Sequence, residues 1–277
     1  MEYNATDVRQ VLLDKKCFVF DLDGTIYLGD RVFPFAIDFI KHLRANGRRV
    51  LFFTNNASRS KKTYVERLSR MGFEPAEDEI LTSGNVTAAY ILSRYPGRTV
   101  YLLGTEDLRN EFREAGIRLV DETAETADIA VLSFDLGLTY EKLFHFCRFV
   151  RDGSVYLATH PDPNCPSERG PLPDAGAFAA LVEVSTGRRP MVFGKPESPA
   201  ADMICEFTNL SKKDICVIGD RLLTDIGIGA RNGMTSILVE TGADTQKEAL
   251  GLPPELRPTF IFPSLYETDQ LLFPGDL

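Results

Sequence analysis

The sequence predicts an α/β fold built on a parallel sheet, and three observations predict it. Short runs that are apolar at every position, Cys17–Phe20, Val50–Phe53 and Ile215–Ile218, alternate with segments of helical period. Strands read this way when helices cover both faces of their sheet. The helical segments near 34–46, 60–71 and 176–186 are each closed by a glycine, Gly47, Gly72 and Gly187, the residue best suited to the left-handed turn that ends a helix. Finally, the apolar runs stop on polar groups: Asp21 after the first, Thr54-Asn55-Asn56 after the second, Gly219-Asp220 after the third.

Taken in order, the first strand leads to the helix at 34–46, and Val50–Phe53 leads to the helix at 60–71. Residues 98–158 repeat the alternation: a strand at Thr99–Leu103, a helix at 106–115, a strand at Ile129–Ser133, a helix at 140–151 and a strand at Val155–Thr159. From His160 to Phe178 the chain reads HPDPNCPSERGPLPDAGAF; five prolines make it a loop, neither strand nor helix. A strand-like run at Pro190–Phe193 follows, then Ile215–Ile218, a helix around 222–232 and Ser236–Val239. The glycines 227, 229 and 233 lack dinucleotide-loop spacing and fit close helix–sheet packing. This alternation is the α/β pattern.

At 277 residues the chain is long enough for one large domain or two smaller ones. A net charge of −9 and a pI of about 5.0, without a Lys/Arg block, argue against nucleic acid and anionic membrane as partners. No apolar run approaches the ~18 residues of a membrane span, and MEYNATDVRQVLLDKK has no signal-peptide core. Five scattered cysteines, none in a CxxC pair, fit a reducing cytoplasm better than a disulfide framework.

In open parallel sheets, ligands bind outside the carboxyl ends of the strands. One edge would therefore gather Asp21, Asp220 and Asp225 with Thr54, Asn55 and Lys195. Those groups suit a phosphate ester. A carboxylate is a nucleophile, but it repels a phosphate dianion, and a divalent cation removes that repulsion. Mg²⁺ takes one or two carboxylates plus substrate oxygens and waters; Asp21 and Asp220 are candidate ligands. Lys195 would neutralise a phosphate oxygen, and Thr54 and Asn55 could donate hydrogen bonds to others. Plainer readings exist for each motif. Asp23-Gly24 is also a hairpin-turn signal, Asp220 and Asp225 also suit a helix N-terminus, and a calcium loop fails because its twelfth position from Asp21 is Val32.

Asp21-Leu22-Asp23-Gly24-Thr25, Thr54-Asn55-Asn56, Gly194-Lys195-Pro196 and Gly219-Asp220-Arg221-x-x-Thr224-Asp225 resemble the four ordered motifs of haloacid-dehalogenase-type phosphatases. The Thr-Asn-Asn form and the Gly-Lys-Pro lysine resemble the NagD-like branch, which includes p-nitrophenyl phosphatases and pyridoxal-phosphate phosphatase. Phe134-Asp135 with Thr139-Tyr140-Glu141-Lys142-Leu143, and Ala158-Thr159-x-Pro161-Asp162, match as well. The resemblance implies a Rossmann-like core at 1–84 and 189–277, with an α/β C2-type cap inserted at 85–188. It implies Asp21 as nucleophile, Asp23 as acid and base, and Mg²⁺ on the Asp21 side chain, the Asp23 carbonyl and Asp220. Asp225 would orient Lys195 or the metal's waters.

The implied activity is Mg²⁺-dependent hydrolysis of a small phosphomonoester through a phospho-aspartate. The alternatives are a phosphotransferase, a non-enzymatic phosphate-binding or phospho-switched protein, and a carbon–halogen dehalogenase, which Asp23 and Asp220 argue against. Relatives form cap-to-cap dimers, so a homodimer fits the resemblance. Two positions depart from the pattern and are candidate specificity residues: His160, where the branch usually carries Asn, and Asp174, which could instead cap the following helix.

Overall fold

The structure is a computed structural model that describes residues 4–165 and 170–275. In chain order it begins with α1 (Ala5–Leu13), β1 (Cys17–Phe20), a hairpin of β2 (Tyr27–Leu28) and β3 (Arg31–Val32), α2 (Pro34–Ala45), β4 (Arg49–Thr54), α3 (Lys61–Arg70) and β5 (Ile80–Thr82). Next come α4 (Ser83–Arg94), β6 (Thr99–Leu103), α5 (Glu106–Glu114), β7 (Arg118–Val120), β8 (Ile129–Leu132), α6 (Tyr140–Arg151), β9 (Val155–Ala158), β10 (Asn164–Cys165), β11 (Leu172–Pro173), α7 (Ala175–Thr186) and β12 (Met191–Val192). The chain closes with α8 (Ser198–Thr208), β13 (Ile215–Gly219), α9 (Gly227–Asn232), β14 (Thr235–Val239), α10 (Gln246–Gly251), β15 (Phe260–Phe262) and α11 (Leu265–Leu272).

Two compact units share these elements. The first holds 1–53, 65–81 and 195–277, and the second holds 54–64 and 82–194. The first is organised on a six-stranded sheet of order β15-β14-β13-β1-β4-β5. β1 lies between β13 and β4 and pairs in parallel with both, Phe20 facing Ile218 and Phe52. All four β1 residues are buried, as two-sided covering requires. Phe39 of α2 meets Phe18 and Phe20 edge-on, with ring centroids 6.2 and 5.9 Å apart, a favoured aromatic geometry. Gly229 of α9 comes so close to β14 that a Cβ would stand 2.7 Å from the Ser236 Cβ. The glycine therefore serves helix–sheet packing, as its spacing suggests.

The second unit has its own five-stranded sheet, β12-β9-β8-β6-β7, parallel throughout. Its core joins Tyr101, Leu103, Ala130 and Leu132 of the sheet to Phe146, Phe149 and Val150 of α6 and Val182 of α7.

Three expectations are corrected. The Pro-rich stretch is not loop throughout: β10 and β11 pair antiparallel, and α7 starts at Ala175. Residues 166–169 of that stretch lie outside the described residues. The helix around 222–232 is two pieces, a wide π-type turn over Leu222–Ile226 and then α9. The hairpin turn is at Gly29-Asp30, between β2 and β3, and not at Asp23-Gly24. Gly24 instead takes a positive φ of 92° inside a turn where Ile26 N donates to Leu22 O and Gly24 N to Tyr27 O.

Candidate active site

β1 and β13 are neighbours at the point where the first sheet changes direction: the chain crosses from β1 to β4 on one side, while β13 lies on the other. Ligand crevices in parallel sheets form at such switch points. Asp21 directly follows β1, and its N–H donates to Ile218 O at 2.9 Å. Asp220 directly follows β13. The π-type turn returns Asp225 to the same end, where its Oδ2 accepts from Arg221 N at 3.1 Å. Asp225 packs against Gly219 so closely that a Cβ there would overlap it.

Lys195 ties these acids together. Its Nζ lies 2.6 Å from Asp21 Oδ1 and 2.6 Å from Asp225 Oδ1, and it donates to Phe53 O at 3.0 Å. The lysine side chain is 2% exposed, Asp225 1% and Asp21 14%. Burial opposes the ammonium, but the two carboxylates outweigh it and hold its pKa above the usual lysine range.

One cation against three acids leaves negative charge in excess. Burial pushes the Asp21 carboxyl well up, and Asp225 and Asp220 add to the rise against Lys195. Burial and Asp225 push Asp220 up to about 6. Oxygen atoms of Asp21, Asp220 and Asp225 lie within 4.8 Å of one another. The Asp220 carboxylate sits in a glycine cradle, since a Cβ on Gly24 or Gly242 would overlap it, and Ala243 N donates to its Oδ2 at 2.7 Å. A convergent set of hard oxygen donors, mutually repelling when empty, fits a small divalent cation such as Mg²⁺.

Asp23 stands apart from this cluster. It is exposed at its surface, and desolvation still raises its carboxyl pKa, against a Gly29 backbone hydrogen bond and the Arg67 and Arg221 charges.

The remaining expected residues belong to the second unit. Thr54 ends β4, and its hydroxyl accepts from Asn56 N at 3.1 Å, forming the turn that follows the strand. The Asn55 carboxamide donates to Asp162 Oδ2 at 2.7 Å, and Ser83 Oγ donates to Asn55 O at 2.6 Å. His160 is 1% exposed. Its Nδ1 is 2.8 Å from Thr159 Oγ1 and its Nε2 is 2.8 Å from Asp174 Oδ1. Thr159 Oγ1 donates on to Ser133 Oγ at 2.9 Å, and Asp174 Oδ1 accepts from Ala175 N at 2.6 Å. His160 and Asp174 are thus partners in one buried chain, and Asp174 also caps α7.

Sequence reasoning missed the Gly24–Gly242–Ala243 cradle and the Asp162 partner of Asn55. The cradle had a weaker signal, a glycine three residues beyond the apolar run that ends at Val239.

This geometry has close counterparts. The family model described as haloacid dehalogenase-like hydrolase matches residues 18–118, and the model described as HAD-hydrolase-like matches 192–268. The chain belongs to the haloacid dehalogenase-like hydrolases. Its relatives place it in the NagD and p-nitrophenylphosphatase branch. An acid sugar phosphatase of Staphylococcus aureus is 37% identical over 252 residues, covering 91% of this chain and 96% of that protein. A 4-nitrophenylphosphatase of Thermotoga maritima superposes with a TM-score of 0.89 at 40% identity, over 95% of this chain and 99% of that one. A glycerol phosphate phosphatase of Mycobacterium tuberculosis, in complex with magnesium, gives 0.85 at 31% identity, over 92% and 76%.

Proposed function

We propose that this chain is a Mg²⁺-dependent phosphatase that hydrolyses small phosphomonoesters through a phospho-aspartate on Asp21. The observation that carries the reading is the buried Asp21–Lys195–Asp225 cluster with Asp220 beside it, at a sheet switch point. The relatives named above are phosphatases, and their names support the same chemistry.

Asp21, Asp220 and the Asp23 main-chain carbonyl would hold the ion. Bound there, Mg²⁺ would supply positive charge against the phosphoryl oxygens. Lys195 opposes the rise in the Asp21 pKa and adds a second positive charge, while Asp225 holds the ammonium in place. An Asp21 carboxylate oxygen attacks phosphorus, and the bond to the ester oxygen breaks. Asp23, its pKa raised by desolvation, gives its proton to that leaving oxygen. The resulting Asp23 carboxylate then takes a proton from water, whose oxygen attacks phosphorus and frees Asp21 and inorganic phosphate. Thr54 and Asn55 would donate hydrogen bonds to phosphate oxygens.

The second unit would act as the cap that selects substrate, with His160 and Asp174 shaping its loop from within. Five cysteines, none of them in a disulfide, suit a reducing cytoplasm, and among the described residues no helix is long and apolar enough to cross a membrane.

The deciding experiment is a panel of phosphomonoesters, covering sugar phosphates, glycerol phosphate, phosphoglycolate, nucleoside monophosphates and pyridoxal phosphate, with and without Mg²⁺. Turnover should require Mg²⁺ and vanish in Asp21→Asn. Undiminished Mg²⁺-dependent turnover in Asp21→Asn would refute the mechanism. Transfer to an added alcohol in place of water would favour the phosphotransferase reading.

A further inference from the structure

The second unit's sheet has a switch point of its own. The chain leaves β6 for β7 on one side and returns to β8 on the other, so the carboxyl ends of β6 and β8 flank a crevice. A cavity of about 450 Å³ opens there, within the ~300–1,000 Å³ range of small-molecule sites. Gly104 and Thr105, which follow β6, line one side; Asp135 and Gly137, which follow β8, line another. None of the residues assigned to phosphate hydrolysis borders it. The Phe134-Asp135…Lys142 motif, to which that chemistry gives no role, does.

The lining is charged in both senses. Lys142 Nζ is 2.9 Å from Asp135 Oδ2 and donates to Gly137 O at 2.9 Å. Gly137 N donates to Asp135 Oδ1 at 2.8 Å, and a Cβ at Gly137 would crowd that oxygen at 3.3 Å. The Lys142 charge is therefore spent on a buried partner. Arg109, 12% exposed, donates to Leu102 O, with Glu106 at 3.8 Å. A guanidinium has five N–H donors, so Arg109 retains capacity for an anionic group. That group would also meet the start of α5, where Thr105 is the cap. Glu122 is the opposite case. Its Oε1 accepts from the neutral Tyr101 hydroxyl at 3.2 Å, and a hydroxyl leaves the carboxylate charge uncompensated.

We propose that this cavity is a second ligand site, separate from the hydrolytic one, and that it takes a small zwitterion of the amino-acid type. Arg109 receives the ligand carboxylate and Glu122 receives its ammonium. A bare anion would meet Glu106 and Glu122. A bare cation would meet Arg109. A ligand with both charges matches both ends of the lining.

The test is isothermal titration calorimetry on the full-length chain with each proteinogenic amino acid, and with glucose, glycerol and inorganic phosphate as probes of the alternatives. At least one amino acid should bind saturably and raise the melting temperature. Glu122→Gln and Arg109→Gln should each weaken that binding by about tenfold or more. Both should keep wild-type far-UV circular dichroism and wild-type turnover of p-nitrophenyl phosphate. Asp21→Asn should bind the amino acid normally, which separates this site from the hydrolytic one. No binding by any amino acid at millimolar concentration overturns the proposal. So does binding of only the polyols or phosphate, or amino-acid binding that survives both substitutions. None of these outcomes bears on the phosphatase reading.

Discussion

The two parallel sheets use the same topological position and fill it in opposite ways. At the β1/β13 end, three carboxylates face one ammonium, and burial raises two of them toward protonation. At the β6/β8 end, Asp135 is paired with Lys142 at 2.9 Å, and Ser133, Thr159, His160 and Asp174 satisfy one another in a hydrogen-bonded chain. The first arrangement is incomplete without a cation; in the second the Asp135–Lys142 pair and the His160 chain are satisfied as they stand, and only Arg109 and Glu122 of the cavity are left for a ligand. A buried charge surplus marks where chemistry needs an added ion, whereas a buried satisfied network marks where the chain fixes its own shape.

The sharpest way to break this contrast is at Lys195. Lys195→Met removes the only ammonium of the first cluster and leaves Asp21 and Asp225 buried against each other. Phosphatase turnover should fall by about 10³-fold, and metal-free stability by about 3–5 kcal/mol. Kinetics and urea denaturation measure the two effects. Addition of Mg²⁺ should recover part of the stability and little of the turnover.

Asp23→Asn should cost about 10²–10⁴ in turnover while leaving the Mg²⁺-induced rise in melting temperature intact, since its carboxyl is outside the charged cluster. A lost Mg²⁺ response would place that carboxyl among the ligands. With an excellent leaving group such as p-nitrophenolate, the penalty should shrink for the first step, because the leaving oxygen needs less protonation.

The pH response tests the charge surplus directly. Asp220 has a folded pKa near 6 against about 3.9 when unfolded, so the folded state holds the extra proton between those values. Metal-free stability therefore falls as pH rises through about 4 to 6, by about 3 kcal/mol from this group, and the raised Asp21 carboxyl acts in the same direction. Mg²⁺ competes with those protons. Its stabilising effect should be large at pH 7 and small at pH 5, as calorimetric melting with and without EDTA would show. An equal shift at both pH values would mean that the carboxylates do not gather the ion.

His160→Asn is the matching break in the second unit. It removes the group bridging Thr159 and Asp174, which are 0% and 5% exposed. Leaving a buried carboxylate short of a partner costs about 1–3 kcal/mol, and no Mg²⁺ addition should restore it. Asp174→Ala should cost a similar amount, including the lost cap on α7. The double variant should cost less than the sum, because the two side chains share one bond.

What the sequence revealed and what it hid follow from the same distinction. Apolar runs and their polar stops are local, so β1, β4 and β13, and the meeting of Asp21, Asp220, Asp225 and Lys195 at one edge, could be read from spacing. The pairing of His160 with Asp174 joins positions 14 residues apart, and no periodicity encodes it. β10 and β11 are two residues each and include Pro173, so they lack any strand pattern. The Asp23-Gly24 signal was misleading for a physical reason. Gly24 has the positive φ of a turn, but it is required because the Asp220 carboxylate occupies the space of its Cβ.

The smallest effect expected is along α5, where Arg113 of the last turn pairs with Glu106 of the first at 2.6 Å and both side chains are about half exposed. The Arg113 hydrogen bond holds the Glu106 carboxyl below the usual glutamate range. A depressed folded pKa contributes stability above the unfolded value and loses it as pH falls toward the folded one. Water and salt screen this pair, so Arg113→Ala should cost about 0.5 kcal/mol or less at neutral pH, and nothing measurable in high salt. The Lys195 pair has a similar length but lies buried, and Lys195→Met should keep most of its cost in salt. If the two variants responded alike to salt, burial would not be what separates the charged cluster of the first sheet from ordinary surface pairs.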